Sequence, residues 1–465
     1  MMRHSWFKSY PVTTSIVIAG SILFICSSLR HWLYQSDAFD LGWFDQALYL
    51  IATGQEPIVS FGGFHILGDH AAIIFYPLAF FYWLYPDVHW LFLIQAIALA
   101  AGGFPIYYLS LQAGLNRTQS VTLVFAYLLY PLVFNKSLFD FHAEAIAIPG
   151  FLVSVLAARS NRIILFTTAV IITLSCKAVL SLTVIPMGLW LIFWEKKRWC
   201  GAIALSTGLA WFLISTQFII PTFSGAAPAA IGRYSYLGSS LGEIVTNIFI
   251  HPNLILGKVF SVDTLEYLVF LCLPVAWGLS PKYLAPLIVT LPMLLMNILS
   301  TASTQRNLVH QYSVPILPFL FIAVIGAIAG GQGFLKTRRN ILIWSTVAFL
   351  LLGKVGYFWS NYLSYLDTRQ ATTNAITQIQ TPGSVLTASA IPPHLSHRAV
   401  VKLTFNGSES IDLHQFKYIL LNERHPGWNS ELDTVKKIRA RVEDSGDFVL
   451  KSMQDDVYLF IAKTN

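Results

Sequence analysis

The stretch SDAFDLGWFDQALYL, residues 36–50, sets three carboxylates, Asp37, Asp40 and Asp45, among aromatic and aliphatic residues just after the first long apolar run. A carboxylate in apolar surroundings is unfavourable unless it binds a partner, and one that reaches an acceptor hydroxyl can serve as general base. Leu41, Phe44, Leu48 and Ile51 recur at helical spacing and form one apolar stripe. Asp40 precedes that helix and also suits an N-cap, whereas Asp45 falls beside the stripe and is pressed toward the membrane surface or the protein.

A second group is FDFHAE, residues 139–144. Extended, it projects Asp140, His142 and Glu144 from one side; helical, it places Asp140 and Glu144 on one face. Either geometry offers oxygen ligands to a hard cation, Mg²⁺ or Mn²⁺, with His142 as third ligand or proton carrier. The competing reading is a helix start capped by Asp140. LGDH, residues 67–70, adds Asp69 and His70, which also suit a helix cap. Lys177 interrupts IITLSCKAVLSL, where a lone cation needs an anion, a phosphate or a nearby Asp, unless it snorkels at a helix end. STQRNLVHQYSVPILPFL brings Arg306, His310 and Tyr312 to the edge of a later apolar run, and a planar guanidinium there suits a diphosphate or phosphodiester. Acids and cations together beside a lipid-exposed groove suit the handling of a lipid-linked phosphosugar. Cations and any metal would steady the leaving phosphate while a carboxylate takes the proton of the incoming hydroxyl.

The elements that must position these residues are membrane helices. Of 465 residues, 55% are hydrophobic and 11% charged, which no soluble domain of this length could hide. Cys26, Cys176, Cys200 and Cys272 sit in or beside apolar runs and form neither a disulfide frame nor a zinc motif. The net charge of +7 maps to short loops between spans, where orientation explains it, so nucleic acid is discounted as a partner. Apolar runs at 11–29, 88–111, 119–134, 145–158, 163–176, 178–194, 201–221, 264–280, 283–299, 312–330 and 340–360 predict about eleven spans. The run 71–85, short, aromatic and broken by Pro77, reads as interfacial or re-entrant. With 71–85 not crossing, one set of loops collects Arg3, Lys8, Arg117, Arg159, Arg162, the 196–198 cluster, Lys282, Lys336, Arg338 and Arg339, and is cytoplasmic by the positive-inside rule. The acids then face outward, in loops 30–87, 135–144 and 222–263. The chain divides into a membrane domain, 1–365, and a soluble extracytoplasmic α/β domain, 366–465. In the latter, 384–388, 399–403, 416–421, 447–451 and 457–462 read as strands, and 368–380 and 430–444 as helices. Nothing in this domain announces chemistry.

The ordered motifs FDLGWFDQALYLIATGQ, LGDHAAIIFYPLAFFYWLYP, LFDFHAEAIAIPG and HQYSVPILPFLFIA, followed by SVLTASAIPPHLSHRAVV, resemble the membrane-protein family called domain of unknown function 2079, over nearly the whole chain. That family is in turn similar to the C-type glycosyltransferase superfamily. The resemblance implies a mainly α polytopic fold with a small outer α/β domain, and a polyprenyl phosphate or diphosphate sugar as donor for hexosyl or pentosyl transfer. An Asp of the first outer loop, Asp40 or Asp45, would be the base; Asp140, His142 and Glu144 match the second acidic loop; and Arg306 or His310 would hold the donor phosphate. Where the family follows its lysine with two acids, this chain reads Lys177-Ala178-Val179. The expectation is therefore a glycosyltransferase of the plasma (inner) membrane acting on a lipid, glycan or protein acceptor. The alternatives are a transporter, against which the absence of an internal repeat counts, and a non-catalytic scaffold or sensor.

Overall fold

The computed structural model describes residues 10–226 and 229–463. Arg3 and Lys8 of the basic set, and residues 227–228 of the loop 222–263, lie outside the described residues. Each apolar run falls on a helix or on helices in succession. Among the described residues, by length and composition, four helices can cross a bilayer alone: Tyr10–Trp32, His89–Gln112, Arg117–Leu138 and Arg198–Ser224. Two bent pairs, Pro252–Val259 with Val262–Gly278 and Arg338–Leu352 with Lys354–Leu363, raise the number to six if each is one span. The other runs give shorter helices, such as the 14-residue Ile163–Cys176. At 1.5 Å per residue that helix reaches about 21 Å, against about 30 Å of hydrocarbon, so length supports four to six spans where the apolar runs suggested about eleven. Phe75–Leu84, at 10 residues, is too short to cross.

The chain forms two compact units. The first comprises Met1–Ile25, Leu67–Ile74 and Leu93–Val355, and its described residues are mainly helical. Its helix Leu317–Ala329 is apolar all round and buried along nearly its whole length, as a central helix must be. Phe319 meets Phe151 and Trp190 edge to face, and Phe321 meets Tyr127 and Tyr130. Helices Ser181–Phe193 and Arg198–Ile214 approach backbone to backbone: a Cβ on Gly188 would lie 2.7 Å from the Gly201 carbonyl and 2.7 Å from Leu205 N. Arg117–Leu128 begins on a reciprocal cap, in which Asn116 Oδ1 accepts from Gln119 N and Gln119 Oε1 accepts from Asn116 N.

The second unit comprises Cys26–Ile66, Phe75–Phe92 and Gly356–Asn465. The α/β sheet therefore shares its compact unit with Cys26–Ile66 and Phe75–Phe92. A short antiparallel hairpin pairs β1 (Ile58–Val59) with β2 (Phe64–His65). The main sheet contains β3 (Val385–Thr387), β4 (Val401–Leu403), β5 (Tyr418–Asn422), β6 (Phe448–Gln454) and β7 (Val457–Ala462), in the order β4-β3-β5-β7-β6. β3 runs parallel to β4 and β5; β7 is antiparallel to β5 and β6. Helix Leu366–Thr377 packs Ala371 and Ala375 on one face with Val385, Leu420 and Leu459. Helix Leu432–Ser445 packs Val435, Ile438 and Val442 on the other with Leu386, Ile419 and Leu421. Period-two side chains feed both layers, which is why every residue of β5 is buried.

Candidate active site

In the first unit, FDFHAE is neither extended nor helical. Helix Pro131–Leu138 stops, Asp140 turns the chain at φ 39°, and Glu144 opens helix Glu144–Arg159. The Gln95 side chain holds this turn: its Nε2 donates to the Asp140 carbonyl (2.8 Å) and its Oε1 accepts from His142 N (3.0 Å). Lys136, completely buried, donates from Nζ to the carbonyls of Phe139 (2.8 Å) and Asp140 (3.0 Å) and faces His142 Nδ1 at 3.0 Å. Lys177 breaks the helix that ends at Cys176 by taking extended backbone, and its Nζ lies 2.7 Å from Glu144 Oε1. Their side chains are 10% and 6% exposed, so this is a buried ion pair with Glu144 in place of the expected phosphate or Asp, and not a snorkelling lysine.

His70 sits 3.3 Å from Asp69, and its segment is tied down by the Ile74 N–H donating to Ser175 O at 3.0 Å. Burial pushes its imidazole down to about 4; Asp69 and Glu144 oppose the shift, and Lys177 and His142 add to it. It is therefore neutral at neutral pH.

The expected metal set does not fit. His142 Nδ1 faces the Lys136 ammonium and Glu144 faces that of Lys177, so cationic side chains stand where Mg²⁺ or Mn²⁺ would. Among the described residues no three His, Cys, Asp or Glu side chains gather as a divalent ion requires.

Arg306 is turned to another task. Its Nη1 donates to the Ser300 carbonyl at 2.6 Å, past the end of helix Leu291–Leu299, and its Nη2 lies 3.5 Å from Asp263 Oδ2. His310 binds Asn307 Oδ1 through Nδ1 at 2.9 Å and meets the Phe139 ring edge to face at 4.2 Å. Tyr312 lies under the Arg233 guanidinium at 5.2 Å.

In the second unit the three acids of the opening stretch part company. Asp37, not Asp40, is the cap, accepting from Phe39 N at 2.9 Å. Asp40 lies half-buried in the π-helical turn Ala38–Gly42. Asp45, 1% exposed, accepts hydrogen bonds from the Tyr82 hydroxyl on Oδ1 and the Ser396 hydroxyl on Oδ2, and His397 Nε2 stands 3.2 Å from Oδ2. The His397 ring stacks on Tyr49, with centroids 4.9 Å apart and planes at 7°. Burial alone would lower the His397 pKa, but the charge of Asp45 and its hydrogen bond outweigh that, and the imidazole is raised above its ordinary value.

A neighbouring clamp fixes both sides of this contact. Gln46 Nε2 donates to the Arg398 carbonyl (2.9 Å), and Gln46 Oε1 accepts from Ser60 N (2.9 Å). Ser60 Oγ exchanges hydrogen bonds with the Val401 backbone at 2.8 and 2.9 Å. Arg398 donates to the carbonyls of Leu395 and Gly383, each at 2.6 Å. Nearby, His394 stacks on His31 at 3.9 Å.

The HLSHR segment of the α/β region supplies Asp45 with two partners. Sequence reasoning passed over Ser396, His397, Tyr82, Gln95 and Lys136. The available signals were two histidines three apart in HLSHR and a cation inside the apolar YPLVFNKSLF.

In fold the chain is similar to ArnT from Cupriavidus metallidurans bound to undecaprenyl phosphate, with a TM-score of 0.51 at 10% identity over 96% of this chain and 98% of that one. ArnT from the same organism in the apo state aligns with a TM-score of 0.43 at 11% identity over 95% and 97%. No curated protein matches the sequence. The family described as "Predicted membrane protein (DUF2079)" matches residues 30–459, and the chain belongs to that family.

Proposed function

We propose that the protein is a membrane glycosyltransferase of the C type, moving a sugar from a polyprenyl phosphate or diphosphate to a hydroxyl of a lipid, glycan or protein acceptor. The observation that carries this reading is the likeness of the chain, end to end, to the fold of a protein seen with undecaprenyl phosphate. Two built charged clusters support it. The buried ammonium groups of Lys136 and Lys177 supply cationic charge without a metal, and a phosphate competing with Glu144 for Lys177 would be held there, with His310 and Tyr312 as further donors. In the second unit, taken by itself, the loop of Asp37, Asp40 and Asp45 carries the carboxylates of this reading. Arg306, occupied by backbone carbonyls, orders its own loop before it serves a ligand. In this reading the N-terminus is cytoplasmic, the apolar helices lie in the inner membrane, and the acids and the α/β domain face outward.

The test uses the full-length protein in nanodiscs with radiolabelled polyprenyl-phosphate sugars and a mixed acceptor extract. Transfer together with release of polyprenyl phosphate is expected. Neither turnover nor saturable binding of undecaprenyl phosphate across a broad donor panel would sink the reading.

A further inference from the structure

Asp45 is the acid whose position in the sequence points most directly to catalysis, and it is poorly placed to meet a substrate. It is 1% exposed, and Tyr82, Ser396 and His397 all address its two oxygens. A carboxylate so enclosed acts on its neighbours. Of these, His397 has access: a third of its side chain (33%) is exposed, and the stack on Tyr49 fixes the plane of its ring. With Nε2–H directed at Asp45, the neutral ring carries its lone pair on Nδ1, to which no described residue hydrogen-bonds. An imidazole oriented by a buried carboxylate, with its far nitrogen open, is the arrangement of a proton acceptor.

Resting on the glycosyl-transfer reading above, we propose that His397 accepts the proton of the acceptor hydroxyl and that Asp45 is its positioning residue. In the step, the acceptor oxygen forms a bond to the anomeric carbon of the donor sugar. The bond from that carbon to the phosphate oxygen breaks, and its electron pair leaves with the phosphate. The hydroxyl proton passes to Nδ1, giving an imidazolium beside the Asp45 carboxylate. The charged and titratable groups facing His397 are Asp45 and Asp87, which favour the imidazolium, Arg398, which opposes it, and the rings of Tyr49 and Tyr82. The acceptor loop and the HLSHR segment thus form one catalytic element within this unit.

The experiment follows transfer from a labelled polyprenyl-phosphate sugar by the full-length protein in nanodiscs, across pH 5.5 to 9. Wild-type transfer should fall on the acid side as His397 becomes protonated. His397→Ala should lose about a hundredfold or more, recover several-fold with imidazole in the buffer, and bind undecaprenyl phosphate within about twofold of wild type. Asp45→Asn should move the acid limb to lower pH, a shift that a purely structural role would not produce. His397→Gln, which keeps a hydrogen-bond donor toward Asp45, serves if the alanine variant does not fold, and should be folded and inactive. An active wild type with His397→Ala and His397→Gln within about threefold of it, or with an unmoved acid limb in Asp45→Asn, overturns this inference alone. A wild type inactive on every donor overturns it together with the glycosyl-transfer reading.

Discussion

The two buried carboxylates, Glu144 in the helical unit and Asp45 in the unit with the sheet, are satisfied in opposite ways. Glu144 meets a full positive charge 2.7 Å away on Lys177, beside a neutral His70. Asp45 meets two hydroxyls and an imidazole. An ammonium cancels a carboxylate's charge, so that the pair as a whole is neutral. Hydroxyls satisfy its hydrogen bonds and leave its field to act on the one titratable neighbour, His397. The same functional group is thus neutralised by an ammonium in one unit and held by hydroxyls and an imidazole in the other.

Breaking the ion pair should have the largest effect. Lys177→Ala leaves Glu144 buried and uncompensated, at an expected loss of about 3–5 kcal/mol, read as a lowered denaturation midpoint in detergent. The double variant Lys177→Met with Glu144→Gln should recover most of that stability while losing donor binding; a double as unstable as the single would mean that the pair is not the stabilising unit. Asp45→Asn should be milder, about 2 kcal/mol, because one of the Tyr82 and Ser396 hydroxyls keeps an acceptor in the amide oxygen while the other meets the amide NH2 and both lose the charge. A loss equal to that of Lys177→Ala would erase the contrast between the two sites. Ser396→Ala removes one donor and should lower stability by about 1.5 kcal/mol by the same measurement.

The smallest effect sharpens the comparison most, because the two regions respond to pH with opposite signs. His397 is raised above its unfolded value of about 6.5, so its contribution is whole below that pH and is lost as pH rises through the folded value. His70, held by burial at about 4, binds its proton only in the unfolded chain between about 4 and 6.5, so stability rises with pH across that window. His394, also pushed down to about 4 by burial, contributes in the same direction. Thermal midpoints against pH should lose part of their acid-side rise in His70→Gln and their fall above pH 6.5 in Asp45→Asn. Profiles unchanged in both variants would show that neither imidazole is linked to folding.

Several elements were legible because their signals are local. The stretches 384–388 and 457–462 are short apolar runs rich in β-branched and aromatic residues, and the observed β3 and β7 lie within those ranges. The apolar runs marked where helices lie but not how many cross, since Ile163–Cys176 and Leu317–Ala329 are apolar enough to span and too short to do so straight. Asp45 stood out because a carboxylate beside an apolar stripe violates the pattern around it. Its partner Ser396 did not, being 351 residues away in an unremarkable serine.

The sequence by itself determined a membrane protein of many helices, an α/β segment at its C-terminal end, and which acids are anomalous where they stand. These follow from periodicity, composition and the free energy of desolvating a charge, all properties of neighbouring residues. Only the tertiary structure decided that Asp37 caps, that Lys177 pairs with Glu144, that Arg306 binds carbonyls, and that Asp45 is fastened to His397. Hydrogen bonds and ion pairs form where side chains meet in space, and long-range packing sets those meetings independently of sequence spacing.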